Sequence, residues 1–166
     1  MHLSILNSNK YHLFYYYKYT KLGWITIATN KDSITFLHFG KIKITNCKYI
    51  LTILIEDAFK QLEEYFNGQR QIFDLLISLN VTKLKKQILN ELTKIPYGKT
   101  QTYQDIAIKL GNKNYARIVG NTCKTNPILI IIPCHRVTAK NGNCNYVAGS
   151  TIKQNLLLIE KINRYQ

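Results

Sequence analysis

Alternation of apolar and polar positions dominates the first 40 residues. Tyr11–Tyr19 is an aromatic-rich run, Trp24–Thr29 reads W-I-T-I-A-T, and Ser33–Phe39 alternates again after a Lys31-Asp32 turn. This predicts an antiparallel meander. From about Tyr49 to Phe66 the period lengthens, with Ile55, Ala58, Phe59, Leu62 and Phe66 on one helical face and Gly68 as a stop signal. Phe73–Leu79 is a short apolar run, readable as a strand or an extended linker.

Helical spacing prevails afterwards. Leu84, Ile88, Leu89 and Leu92 mark a helix over Thr82–Thr93, ended by the turn Ile95-Pro96-Tyr97-Gly98. Thr102-Tyr103-Gln104-Asp105 has the form of a capping box and opens a short helix, Tyr103–Leu110, closed by Gly111. Lys113–Lys124 reads as the next helix, stopped by Asn126-Pro127. Two short helices about a tight glycine-containing turn have the pattern of a helix-turn-helix. Ile128–Ile132 predicts a buried strand leading into Pro133-Cys134-His135-Arg136-Val137, and a polar loop then precedes a last helix, Ile152–Ile162.

Charge sharpens this division. The 166 residues carry net charge +14, with 46% hydrophobic and 19% charged residues, which excludes a disordered tail protein. Residues 1–80 hold 9 basic and 6 acidic side chains (+3), and residues 81–166 hold 14 and 3 (+11). Abundant Lys, Asn, Ile and Tyr resemble the bias of AT-rich genomes, but bias does not account for segregation. A basic second half points to a polyanion, nucleic acid before membrane. The composition break sets the expected domains at 1–80 and 81–166. No run of ~18 apolar residues suggests a membrane span, and no secretory signal pattern is seen. Cys47, Cys123, Cys134 and Cys144 form neither a C-x-x-C pair nor a disulfide framework. A reduced, cytoplasmic protein is the expectation.

Cys134 is the candidate nucleophile. An apolar run ending in Pro-Cys-His-Arg sets a thiol at a core edge beside an imidazole and a guanidinium, and a nearby cation favours the reactive thiolate. Cys47 and Cys123 read as small core hydrophobes and Cys144 as an incidental loop thiol. Zinc bound by Cys134, His135 and Cys144 would need tighter ligand spacing. No metal and no cofactor are expected.

The sequence P-C-H-R-V at 133–137 resembles the signature of the O6-alkylguanine-DNA alkyltransferases. The resemblance extends through I-P-Y-G-K-T (95–100), T-Y-Q-D-I-A (102–107), A-R-I-V-G-N (116–121), N-P (126–127), Y-V-A-G (146–149) and K-Q-N-L-L-L-I-E (153–160), in order, over about residues 82–162. It implies an α+β fold, with an N-terminal antiparallel-sheet, ribonuclease-H-like domain and a C-terminal winged-helix-like domain carrying the helix-turn-helix. The implied activity is DNA repair, with one irreversible transfer of an alkyl group from O6-alkylguanine, and less well O4-alkylthymine, to Cys134. His135 would act as base through a water, oriented by Glu160. Asn126 would tie the turn before the active-site segment, and Tyr103 would swing the nucleotide and donate toward guanine N3.

Further roles follow from the same resemblance. Arg117 would fill the gap left by a flipped base while Ala116 and Gly120 let the helix approach the minor groove. Lys113, Lys124, Thr102 and Arg136 would join the DNA contact. Tyr146 and the Val147 N–H would meet O6, and the carbonyls of Cys134 and Val137 the guanine amino group. Lys153 would add positive potential, its plain alternative being a solvated surface lysine. Double-stranded DNA carrying the lesion is the implied partner of a protein expected to be monomeric.

Several positions depart from the family pattern. The Gly142–Tyr146 loop is about one residue short, Ala148-Gly149 replaces Gly-Gly, Ile118 replaces a frequent Ala, and Leu89 stands where Trp is common. His2, His12, His38 and Cys47 show no zinc pattern. Two rival readings are a non-catalytic helix-turn-helix protein that binds alkylated DNA and a Cys–His hydrolase; Cys134 argues against the first, and the lack of an oxyanion-hole motif against the second.

Overall fold

A computed structural model describes residues 12–140 and 146–162. Strands β1 (Phe14–Thr20), β2 (Gly23–Thr29) and β3 (Ile34–Phe39) form the expected antiparallel meander, and a two-residue β4 (Lys48–Tyr49) pairs parallel with β1, giving the order β3-β2-β1-β4. Helix α1 (Ile53–Phe66) begins four residues later than its apolar period suggests. The Thr52 hydroxyl accepts from the Ile55 N–H at 3.3 Å and caps the helix there, which leaves Tyr49 to the sheet.

The helices α2 (Lys83–Thr93), α3 (Tyr103–Lys109), α4 (Ala116–Lys124) and α5 (Ser150–Ile162) follow. The capping box at α3 is present in full: Thr102 accepts from the Asp105 N–H, and the Asp105 carboxylate accepts from the Thr102 N–H. Lys113–Tyr115 forms a 3-10 turn rather than the first turn of α4, because the Asn112 side chain caps it by accepting from the Asn114 N–H. Two short strands, β5 (Gln101–Thr102) and β6 (Val137–Thr138), pair in parallel beside these helices. The α+β class is as expected. Among the described residues no helix is long and apolar enough to cross a membrane.

The Ile128–Ile132 segment is buried as its composition requires, but it is not a strand. Leu129 bridges to Ile132 across a tight reversal in which Ile130 has φ +71°. A β-branched residue rarely adopts this left-handed conformation, and holding it there costs on the order of 1–3 kcal/mol. Burial of Ile128, Leu129, Ile130 and Ile132 in the main core offsets that strain.

The outer edge of β3 joins the two halves. Ile34 exchanges backbone hydrogen bonds with Leu76 and Ser78, and Leu37 donates to the Pro127 carbonyl and accepts from Leu129, both at 2.9 Å. The edge strand is therefore covered by chain from beyond α1 and from the approach to Cys134. One continuous core contains Ile25, Ile27 and Leu37 from the sheet, Leu62 from α1, Leu89 from α2 and Leu156 from α5. Leu37→Ala is expected to cost ~2–5 kcal/mol and to shift a single cooperative urea transition seen by both far-UV CD and Trp24 fluorescence. Separate transitions for the two probes would contradict this coupling.

Candidate active site and nucleic-acid interface

The reversal at Ile130 delivers Pro133 to a 3-10 turn, Cys134–Arg136, whose three side chains are all buried. Asn126 holds this turn. Its amide donates to the Ile132 carbonyl at 2.9 Å and to Cys134 Sγ at 3.1 Å, while its Oδ1 accepts from the Ile128 N–H. Asn126 thus fixes the approach segment and contacts the thiol directly.

Burial decides the state of that thiol. It pushes the Cys134 pKa up to about 11, against the Asn126 hydrogen bond and the positive charge of Lys153, which act the other way. The adjacent cations do not make a resting thiolate, contrary to the sequence expectation. His135 lies low and neutral because burial disfavours its charged form more than Glu160 favours it, and the Arg136 guanidinium is spent on a carboxylate of its own. The Tyr146 hydroxyl is buried beside Cys134, and burial, followed by the charge and hydrogen bond of that thiol, raises its pKa.

Glu160, from α5, is fully buried beside this turn. His135 Nε2 approaches its Oε1 at 2.8 Å, and Arg136 donates to it through Nε and Nη2 at 3.0 and 2.9 Å. Gly98 donates its N–H to Oε2 at 2.9 Å, and the Tyr65 hydroxyl donates to Oε1 at 2.6 Å. Burial alone would raise the Glu160 pKa, but the hydrogen bonds and charges of His135 and Arg136 outweigh it and hold it at about 2. His135 Nδ1 is buried without a hydrogen-bond partner.

Two side chains expected at the DNA or the base lie inside. Arg136, expected on the DNA, is buried, donates to the Ile95 carbonyl at 2.7 Å as well as to Glu160, and stacks over Tyr97. Its guanidinium is enclosed by the carboxylate that neutralises it, so it is corrected to an internal ion-pair member. Lys153 is fully buried and donates to the Val137 carbonyl at 2.7 Å, which removes the surface alternative. That carbonyl, expected to meet the guanine amino group, already accepts one hydrogen bond.

The remaining candidates face outward or line the helix pair. Lys113, Arg117 and Lys124 are exposed; Arg117 and Lys124, seven residues apart, share one side of α4, and Lys113 lies on the 3-10 turn that precedes it. Ala116 and Tyr103 are half-buried. Gly120 faces the Tyr103 ring, where an added Cβ would make an ordinary 3.9 Å contact. Thr102 serves as the α3 cap, and Val147 is exposed beside half-buried Tyr146. Cys144 and most of the shortened loop lie outside the described residues. A groove of about 570 Å³ opens behind the turn, between Phe73, Ile77 and Tyr97, and touches Pro133 and Arg136 without reaching Cys134. Among the described residues no cluster of three or more His, Cys, Asp or Glu could hold a metal.

Residues 83–162 match the family model for the DNA binding domain of 6-O-methylguanine DNA methyltransferase, and residues 13–79 match its ribonuclease-like domain. The chain belongs to this family. The methylated-DNA–protein-cysteine methyltransferase of Methanosarcina acetivorans is 36% identical over 144 residues, covering 84% of this chain and 92% of that relative. The constitutive enzyme of Bacillus subtilis is 37% identical over 153 residues, covering 87% and 93%. The structure of Mycobacterium tuberculosis OGT in complex with DNA superposes with a TM-score of 0.86 at 32% identity, covering 91% of this chain and 94% of that one. Two residues not assigned a site role from the sequence also enter the site: Tyr65, outside every motif, and Gly98, within I-P-Y-G-K-T.

The Glu160 cluster makes stability depend on acid. Glu160 ionises at about 2 in the folded chain against an ordinary 4.5. Its contribution is complete above 4.5 and is lost as pH falls through about 2, on the order of 3 kcal/mol in all. Neutral burial of His135 adds a separate loss as pH falls below 6.5, because the unfolded imidazole takes up the proton first. Urea denaturation between pH 2 and 5 is expected to show the carboxylate window in the wild type and not in Glu160→Gln; equal pH slopes would refute this assignment.

Proposed function

We propose that this member of the methyltransferase family repairs DNA by moving the alkyl group of O6-alkylguanine onto Cys134. The observation that carries the reading is a buried thiol hydrogen-bonded to Asn126 and next in sequence to an imidazole that engages a buried carboxylate. In the reaction the thiol proton passes through a water to His135 Nδ1, and the sulfur attacks the alkyl carbon. The O6–carbon bond breaks, its electron pair stays on the base, and guanine recovers a proton. Glu160 balances the transient imidazolium, as the acid of a triad does. A thioether has no route back to thiol under these conditions, so each molecule acts once. O4-alkylthymine presents a similar alkyl–oxygen bond and is the weaker substrate.

Double-stranded DNA containing the lesion is the proposed partner. O6 lies within the base stack, so the nucleotide must be turned out to meet a buried sulfur. Exposed Lys113, Arg117 and Lys124 support binding through α4 in the minor groove, with Arg117 entering the stack and Ala116 and Gly120 allowing close approach. Tyr103 and Thr102 open α3 beside this helix and act on the rotated phosphate, Tyr103 donating toward N3. Tyr146, Val147 and Val137 border the base, and the Tyr146 hydroxyl, buried beside Cys134, lies where it can donate to O6. The division of labour follows the proposed boundary near residue 80, and the protein acts as a monomer in the cytoplasm.

Incubation with a duplex containing O6-methylguanine, followed by intact-mass measurement, tests the transfer. One methyl in place of hydrogen adds ~14 Da, and the shift is expected to stop at one per chain and to vanish in Cys134→Ala. Binding without a mass shift would favour a damage-recognition protein, and more than one product per chain would rule out single turnover. Arg117→Ala is expected to lower single-turnover transfer by at least tenfold, ~1.4 kcal/mol, with the fold retained. An unchanged rate would remove Arg117 from the base-flipping role.

A further inference from the structure

We propose that Tyr65 is a positioning residue for the alkyl transfer, reaching from α1 into the Cys134 site to hold His135 in the tautomer whose Nδ1 is bare. The inference rests on the reading of His135 as the base. Glu160 Oε1 lies 2.6 Å from the Tyr65 oxygen and 2.8 Å from His135 Nε2, and the Tyr65 oxygen itself lies 3.4 Å from Nε2. A phenol has one proton, and at 2.6 Å from a carboxylate it is donated there. Toward His135 the hydroxyl then offers only lone pairs.

A bare Nε2 would face two oxygens with no proton between them. Nε2 must therefore carry hydrogen, shared between Glu160 and Tyr65. In a neutral imidazole the other nitrogen is then an acceptor, and it is Nδ1 that is buried without a protein partner. A base aimed at a thiol needs this arrangement. The Tyr65 ring cannot drift, since it packs against Phe73 at 5.3 Å, Phe66 at 5.8 Å and, edge-on, Tyr97 at 5.9 Å between centroids.

The same hydroxyl moderates the strength of the base. His135 is faced by Glu160 and Lys153 from α5, by Tyr65 from α1, and by Cys134 and Arg136 from its own turn. Glu160 is faced by His135, Arg136, Tyr65 and the Gly98 N–H. Each donor to the carboxylate draws charge away from the imidazole. Removing the Tyr65 hydroxyl leaves more of that charge on Nε2–H, so the ring is protonated, and lost as a base, at higher pH.

Single-turnover transfer to the full chain, followed by mass from pH 5 to 9, tests this. Tyr65→Phe is expected to move the acid limb up by on the order of half a pH unit, making transfer on that limb about threefold slower. Phe73→Leu loosens the same packing but keeps the hydroxyl; it is expected to lower stability and leave the limb in place. Nitrogen-15 shifts of wild-type His135 are expected to show Nε2 protonated and Nδ1 bare, independently of how the variants fold. The opposite tautomer, an unmoved limb in Tyr65→Phe, or an equal shift in Phe73→Leu would overturn the inference. A wild type that forms no Cys134 adduct would instead overturn the functional reading.

Discussion

Burying an ion costs several kcal/mol even after a protein relaxes around it, and the Glu160 carboxylate is completely removed from solvent. It is tolerated because donors converge on it from three separate parts of the chain: Tyr65 of α1, Gly98 of the turn after α2, and His135 and Arg136 of the Cys134 turn, while Glu160 itself lies on α5. No two of these segments could move independently without stranding a charge or a proton. The carboxylate therefore organises the centre of the molecule, joining the halves electrostatically where β3 joins them by backbone hydrogen bonds.

That constraint also sets the chemistry available to Cys134. A guanidinium neutralised by Glu160 exerts little pull on the sulfur, and burial leaves the thiol protonated at neutral pH. For a protein that acts once, a quiet resting thiol is useful: oxidants and small electrophiles meet a thiol rather than a thiolate. In the proposed reaction the base becomes relevant only when a flipped nucleotide occupies the site. The strained reversal at Ile130 and the Asn126 amide together fix the sulfur before substrate arrives, which limits the reorganisation required at the moment of transfer.

Positive charge serves two unlike purposes in the same half of the chain. Arg117 and Lys124 are solvated along one side of the second helix of the helix-turn-helix and Lys113 on the 3-10 turn before it, where a polyanion can meet them. Arg136 and Lys153 point inward and neutralise a carboxylate or bond a carbonyl. The +11 of residues 81–166 thus overstates the charge that DNA encounters. Its segregation still marks the half that carries the nucleic-acid face, because most of the other basic residues remain at the surface.

Periodicity and caps alone determined the meander, the two-helix unit and most helix ends, because alternation, a Thr cap and a stop residue act over a few neighbouring positions. The P-C-H-R-V run and its flanking motifs identified the family and the candidate thiol for the same local reason. Long-range effects were not legible. Ile128–Ile132 has a strand's composition, yet its path is set by β3 and by the bridge between Leu129 and Ile132. Arg136 reads as a surface cation until Glu160, 24 residues away, is brought against it. Tyr65 lies 95 residues from the same carboxylate, among ordinary helix-face aromatics. Only the tertiary structure could decide whether the thiol rests protonated, since its pKa depends on burial and on the net charge assembled around it, and neither is a property of adjacent residues.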